Sequence, residues 1–270
     1  MFKKIKKPLL AFLIIIDLIF FSCVGIYFYL NSQVAKLDSK YPVWNQKSKT
    51  YTLQTKRPPN WSKLKEIAQA TKWAIIISED WAFYDHFGLD LNQLKIVFNE
   101  SLEAKRFVRG ASTITQQVIK NSLLTSERSL LRKAQEMLMA ILVEKKLSKD
   151  KILEIYLNLI ELGPNIFGVK QASKFYFNKH PQNLSIKEAA FLAMLLPSPK
   201  RYSQSFRNKK LTPFAMEQVE SILLKLRQAK VITEDQRLTA KNEDLSFEII
   251  DGNLEGFDDD LLSVENESYE

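Results

Sequence analysis

Residues 75–88 read IIISEDWAFYDHFG: three isoleucines run through Ser78 into Glu79 and Asp80, and the acids are followed by Trp81, Phe83, Tyr84, His86 and Phe87. A carboxylate set among apolar and aromatic groups resists ionising, because desolvation disfavours the charged form. Catalytic acids and bases are often placed in this way. The competing reading puts both acids in the solvated last turn of a buried helix. The stretch alone leaves the two readings open, and the flanking sequence bears on the choice.

Composition favours helix. The chain has 270 residues, 46% of them hydrophobic, and only 7 glycines, and few segments alternate polar with apolar. That pattern argues against a β-rich fold. From Trp61 onward helices are expected over 61–79, 90–105, 112–124, 127–147, 149–160, 166–177, 185–196, 212–230 and 233–241, with breaks at Gly88, Gly110, Gly163–Pro164, Pro181 and Pro197–Pro199. The single Cys23 excludes an internal disulfide.

The N-terminus points to a membrane. Lys3, Lys4, Lys6 and Lys7 precede LLAFLIIIDLIFFSCVGIYFYL, residues 9–30, interrupted by one charge, Asp17. At about 1.5 Å per residue this run spans roughly 30 Å, the thickness of a bilayer's hydrocarbon core. The lysines mark residues 1–8 as cytoplasmic and place residues 31–270 outside a cell inner (plasma) membrane crossed once. A cleaved signal peptide is a rival, but no small-x-small site follows the run. Lipidation at Cys23 is another. Residues 31–60, with Pro42, Pro58 and Pro59, read as a stalk that holds a short extended piece at Tyr51–Thr55. Residues 61–240 read as one helical domain.

Charge is uneven. Residues 241–270 hold 11 acids and one base, a net charge of −10; with +8 for the whole chain, residues 1–240 carry +18. A basic body on a membrane suggests an anionic partner, a phosphorylated lipid before a nucleic acid. The acidic tail reads as disordered and solvating.

Two helices carry unusual polar faces. In RGASTITQQVIKN, residues 109–121, Ser112, Gln116 and Lys120 are four apart, with Thr113 and Gln117 beside them; Ala111, Ile114 and Val118 lie opposite. Uncharged hydrogen-bonding groups ending in one lysine suit sugar hydroxyls next to a phosphate, and equally an ordinary polar helix face. In ERSLLRKAQEMLMAILVEKKL, Arg128, Arg132 and Glu136 are again four apart. That is either an exposed Arg/Glu ladder or part of a pyrophosphate clamp. Glu144 and Lys145 to Lys149 read as a solvated helix end, and Tyr156 and Asn158 as structural. Other chemistries are missing: there is no Gly-rich phosphate loop, and with only His86 and His180 there is no His metal cluster and no Ser–His–Asp set. Ser148–Lys151 fits S-x-x-K without its companion motifs and reads as a helix cap.

Together these segments resemble the peptidoglycan glycosyltransferases of family 51, whose domain occurs alone in monofunctional transglycosylases and at the front of class A penicillin-binding proteins. The motifs stand in order as EDWAFYDHFG (79–88), RGASTITQQVIKN (109–121), RKAQE (132–136) and KDKILEIYLN (149–158), followed by FGVKQASKFYF, LSIKEAAFLAMLLPSP and Arg201–Tyr202. Pro164 and Asn178 replace commoner glycines. The likeness covers about residues 61–203. Residues 212–240 look like the linker that follows this domain in bifunctional proteins.

The resemblance implies a mostly helical, lysozyme-like, two-lobed fold, with a membrane-dipping jaw near residues 87–107 in which Leu89, Leu91, Leu94, Ile96, Val97 and Phe98 meet lipid. It implies polymerisation of lipid II onto a lipid-linked glycan chain, with β-1,4 bonds formed and undecaprenyl pyrophosphate released. Glu79 matches the catalytic base and Glu136 the second functional carboxylate. Lys120, Arg128 and Arg132 would neutralise the leaving group; Ser112, Gln116 and Gln117 would position sugars; Asp80 and His86 would orient the motif. No cofactor is required by the sequence, and a divalent cation, magnesium or manganese, is admissible at the pyrophosphate. Further cell-wall synthesis proteins are conceivable partners. Two rival functions stand beside this one. A lysozyme-like glycan hydrolase also needs a glutamate in a cleft, and a non-catalytic cell-wall scaffold would keep the fold alone.

Overall fold

A computed structural model describes residues 6–248 apart from 107, 109, 126 and 128. The body is mostly helical. Helix α1 (Lys6–Ser39) leads into a hairpin of β1 (Tyr41–Asn45) and β2 (Thr50–Gln54), paired antiparallel with Tyr41 opposite Gln54. Then come α2 (Gln69–Glu79), α3 (Leu91–Glu103), α4 (Ile114–Ser122), α5 (Leu130–Lys146) and α6 (Lys149–Leu159). A second small hairpin, β3 (Glu161–Gly163) and β4 (Ile166–Phe167), precedes α7 (Val169–Phe177) and α8 (Ile186–Leu195). Two short helices not expected from the sequence, α9 (Pro199–Tyr202) and α10 (Gln204–Arg207), lead to α11 (Pro213–Gln228) and α12 (Glu234–Asn242).

The centre of the body is α8. Every residue from Lys187 to Leu195 is buried, as expected of a helix that is apolar nearly all round. It packs against α2 on one side and α11 on another, while α4 packs against α5 and α6. Helix starts follow their caps: Thr113, Ser129, Ser148, Ser185, Thr212 and Thr233 each accept a backbone N–H of the first turn. Ser148 therefore serves the cap role expected of it. Asn178 ends α7 in the left-handed region, φ +52, where a short amide side chain is tolerated in place of glycine.

The expected stalk, residues 31–60, is corrected. Helix α1 continues to Ser39, and Leu30, Val34 and Leu37, spaced by three and four, are buried in the main core; α1 packs on α5. The hairpin is also seated: the Tyr51 hydroxyl donates to the Leu159 carbonyl, and Trp44 stacks on Phe167 at 4.6 Å between centroids. Apolar spacing at helical period carried the chain onto the body, so it does not stand clear of it. The part of α1 from Leu9 onward is long and apolar enough to cross a membrane.

The tail is corrected as well. Leu245 and Phe247 are buried, and Phe247 meets Phe191 at 5.2 Å. Glu248 accepts the backbone N–H of Leu211 at 2.9 Å. Lys187, buried in α8, donates to the carbonyls of Lys241 and Glu243 at the end of α12. The remainder of the acidic tail, 249–270, lies outside the described residues. In the jaw segment Leu91, Ile96 and Phe98 are exposed as expected, whereas Val97 is buried.

Candidate active site

Glu79 is the last residue of α2, and the buried Ala74, Ile75, Ile76 and Ile77 fix that helix end. Among the described residues, its carboxylate's hydrogen-bond partners are neutral. Gln117 Nε2 donates to Oε2 at 2.8 Å and the Tyr156 hydroxyl donates to the same oxygen at 3.4 Å. Burial raises the Glu79 carboxyl above its ordinary value; the bonds from Gln117 and Tyr156 pull against that, and the charge of Asp80 adds to it. Tyr156, fully buried against this carboxylate, is pushed well up by desolvation and by Glu79, so it stays a neutral donor. The solvated reading of Glu79 and Asp80 does not hold, since Asp80 is buried and Glu79 half-buried.

Asp80 joins two helices. Its carboxylate accepts the backbone N–H of Ile114, the first residue of α4, at 2.9 Å, and holds His86 Nε2 at 2.9 and 3.0 Å. An anion at a helix N-terminus is favourable. Thr113 donates to the Gly88 carbonyl at 2.7 Å, closing the loop from 80 to 88 onto α4. Gly88 is required there: φ is +81, and a Cβ would stand 2.9 Å from the Ala140 carbonyl oxygen of α5.

Glu136 has the opposite surroundings. It is buried on α5 and ion-paired to Arg132 Nη1 at 2.9 Å and to Lys133 Nζ, while Gln116 Nε2 donates to it at 3.3 Å. Lys133 also donates to Ser112 Oγ at 3.1 Å. Around Glu136 the ladder is therefore a partly buried ion cluster and not a solvated face. Lys120 is exposed on α4, and Arg128 lies outside the described residues.

The sequence face of Ser112, Gln116 and Lys120 is split by the fold. Ser112 precedes the helix, Gln116 is buried against Glu136, and Gln117 reaches Glu79. Two participants were missed. Lys133 carried no signal beyond its place in RKAQE, and Tyr156 read as structural because its contact with Glu79 spans 77 residues. Glu144, expected in a solvated helix end, is instead buried and receives Thr115 Oγ1 at 2.6 Å and Lys149 Nζ at 2.8 Å. Asn158 is structural as read, exchanging bonds with the Ser62 backbone.

A cleft of about 870 Å³ opens beside Glu79. Its lining includes Glu79, Asp80, Ser112 and Gln117, and excludes Gln116, Lys120, Arg132 and Glu136. Among the described residues no three His, Cys, Asp or Glu side chains gather to hold a metal ion.

A carboxyl whose proton affinity is raised by burial at the edge of an open cleft, with a cation cluster one helix away, suits enzymes that move a proton next to a departing anion. The particular family follows from comparison with known proteins. The model of the family described as Transglycosylase matches residues 46–227, and the chain belongs to that family. It is similar to the biosynthetic peptidoglycan transglycosylase of Vibrio parahaemolyticus serotype O3:K6, 35% identical over 230 residues that cover 82% of this chain and 98% of that one. The protein of the same name from Shewanella denitrificans is 41% identical over 172 residues, 63% of this chain and 73% of that one. Penicillin-binding protein 1A of Clostridium botulinum is 42% identical over 176 residues, 63% of this chain and 21% of that one.

Proposed function

We propose that this protein is a peptidoglycan glycosyltransferase that polymerises lipid II into β-1,4 glycan strands. The observation that carries this reading is the pairing of a desolvated Glu79 held by neutral donors with a cation-clamped Glu136, bridged by neighbouring glutamines of α4. The acceptor's 4-hydroxyl gives its proton to Glu79 as its oxygen attacks C1 of the lipid-linked donor. The C1–oxygen bond to the pyrophosphate breaks on the opposite face, its electron pair leaves on undecaprenyl pyrophosphate, and α becomes β. One displacement with one general base is sufficient for inversion.

Lys120, Arg132 and Lys133 offset the charge that develops on the leaving group, and Glu136 keeps the last two fixed in place. Arg128 is assigned to the same end on resemblance alone. Gln117 and Ser112 face the cleft and position sugars, whereas Gln116 serves Glu136. Asp80 and His86 orient the loop from 80 to 88. A divalent cation, magnesium or manganese, would supply further charge neutralisation at the pyrophosphate; Glu136 is not free to hold it, because both its oxygens are engaged by Arg132, Lys133 and Gln116. Helix α1 is the single membrane anchor, with its lysines cytoplasmic and the body outside the inner membrane.

The test is purified full-length protein in detergent or vesicles, supplied separately with lipid II and with finished glycan strands. Conversion of lipid II to long strands with release of the lipid pyrophosphate is expected, with strands left uncut. Cleavage of strands with lipid II untouched would establish a hydrolase, and inertness toward both would establish a scaffold.

A further inference from the structure

The cleft beside Glu79 is walled in part by a helix outside all the motifs. Buried Ala215, Val219, Ile222, Leu223 and Leu226 seat α11 against α8 and α2, the helix that ends in Glu79. That seating puts Lys225, exposed in the last turn of α11, on the cleft wall. The other ionisable side chains among the described lining residues are acids: Glu79, Asp80 and Asp90. Asp90 is used as the cap of α3, accepting Gln93 N–H at 2.8 Å, and Asp80 is held by His86 and Ile114.

Lys225 is thus the one cation among the described residues of that lining, and among the described residues it has no ion-pair partner. It does not serve Glu79 either, whose carboxyl answers to burial, Gln117, Tyr156 and Asp80. A helix C-terminus favours a cation, but Arg227 of the same turn meets that need and pairs with Glu234 at 3.2 Å. The cations assigned to the leaving group, Lys120, Arg132 and Lys133, are absent from this lining. The cleft is therefore the half of the site open to the attacking molecule, and its one described ammonium faces the space that molecule enters.

We propose that Lys225 binds an anionic group of the acceptor lipid II, its pyrophosphate or a carboxylate of its stem peptide, and so holds the 4-hydroxyl against Glu79. This rests on the lipid II reading above. The role suits a lysine, a flexible point charge able to follow a mobile anion.

The test is steady-state polymerisation by wild type, Lys225→Met and Lys225→Arg, using lipid II with free and with amidated stem carboxylates. Lys225→Met should raise KM about five- to tenfold with kcat within about twofold, the signature of lost uniform binding, and Lys225→Arg should restore most of it. With amidated lipid II the gap between wild type and Lys225→Met closes if the carboxylate is the anion and persists if the pyrophosphate is; both results support the assignment. Equal KM for wild type and Lys225→Met on both substrates overturns it, as does a loss confined to kcat or to the melting temperature. Inertness of the wild type toward lipid II would instead overturn the underlying reading.

Discussion

Glu79 and Glu136 are both reached from α4, through the adjacent Gln117 and Gln116, yet their settings are opposite in kind. Glu79 has a desolvated carboxylate with two neutral donors and, among the described residues, no cation. Glu136 is more deeply buried and balanced by Arg132 and Lys133. The first setting suits a group that gains and loses a proton, since neither state is locked. The second suits a fixed charge whose work is to hold cations at a chosen place. The difference teaches that burial alone does not assign a role; the sign of the neighbours does.

The largest expected effect comes from removing the proton acceptor. Glu79→Gln keeps the shape and the bond from Tyr156, so lipid II binding should be retained while turnover falls by about 10² to 10⁴. Turnover within tenfold of wild type would break the comparison at its first term. The next effect is on stability. Glu136→Gln leaves Arg132, largely buried, without its anion, and a cost of about 2–4 kcal/mol is expected, at the lower end if Lys133 turns to water. Urea denaturation at neutral pH measures it; an unchanged midpoint would mean the cluster is not under electrostatic load.

Tyr156→Phe sharpens the Glu79 side. The lost hydrogen bond favours the ionised carboxylate, so the acid limb of the kcat/KM profile should move to higher pH, and the rate at neutral pH should fall a few-fold, about 1 kcal/mol. A limb that stays in place would remove Tyr156 from the site. The smallest effect is the stability of Glu79→Gln itself. A carboxyl raised on folding binds its proton more tightly in the folded chain than in the unfolded one. Wild-type stability therefore falls as pH rises from about the unfolded value of 4.5 through the folded one. Glu79→Gln should be more stable than wild type at neutral pH and level with it below about pH 4.5. Thermal melts across that range would show a variant that loses activity and gains stability, the reverse in sign of Glu136→Gln.

How much of this was legible in the chain follows from the range of the interactions. Glu79 stood out as a candidate because its apolar setting, Ile75 to Ile77 and the aromatic residues after it, is local, while its role came from the resemblance that the ordered motifs carry. Helix existence was legible from periodicity, and at Ser148 from its cap as well. Tyr156 and Glu144 were misread because their partners, Glu79 and Thr115, lie 77 and 29 residues away. The end of α1 was misread for another reason. A hydrophobic run was measured against bilayer thickness, and the spacing of Leu30, Val34 and Leu37, which continues the helix onto α5, lay across its boundary. Leu245 and Phe247 were hidden in an acidic segment whose net charge outweighed two apolar side chains in any compositional reading.

The contrast between the two carboxylates is tested most directly by titrating Glu79 itself. Difference infrared spectra of wild type minus Glu79→Gln, recorded from acid to neutral pH, isolate the band of one carboxyl. The expected midpoint lies clearly above the ordinary carboxyl value of 4.5, and rises further in Tyr156→Phe. A midpoint at or below 4.5 would contradict the account, because Glu79 would then be held as a fixed charge and not as a base awaiting a proton.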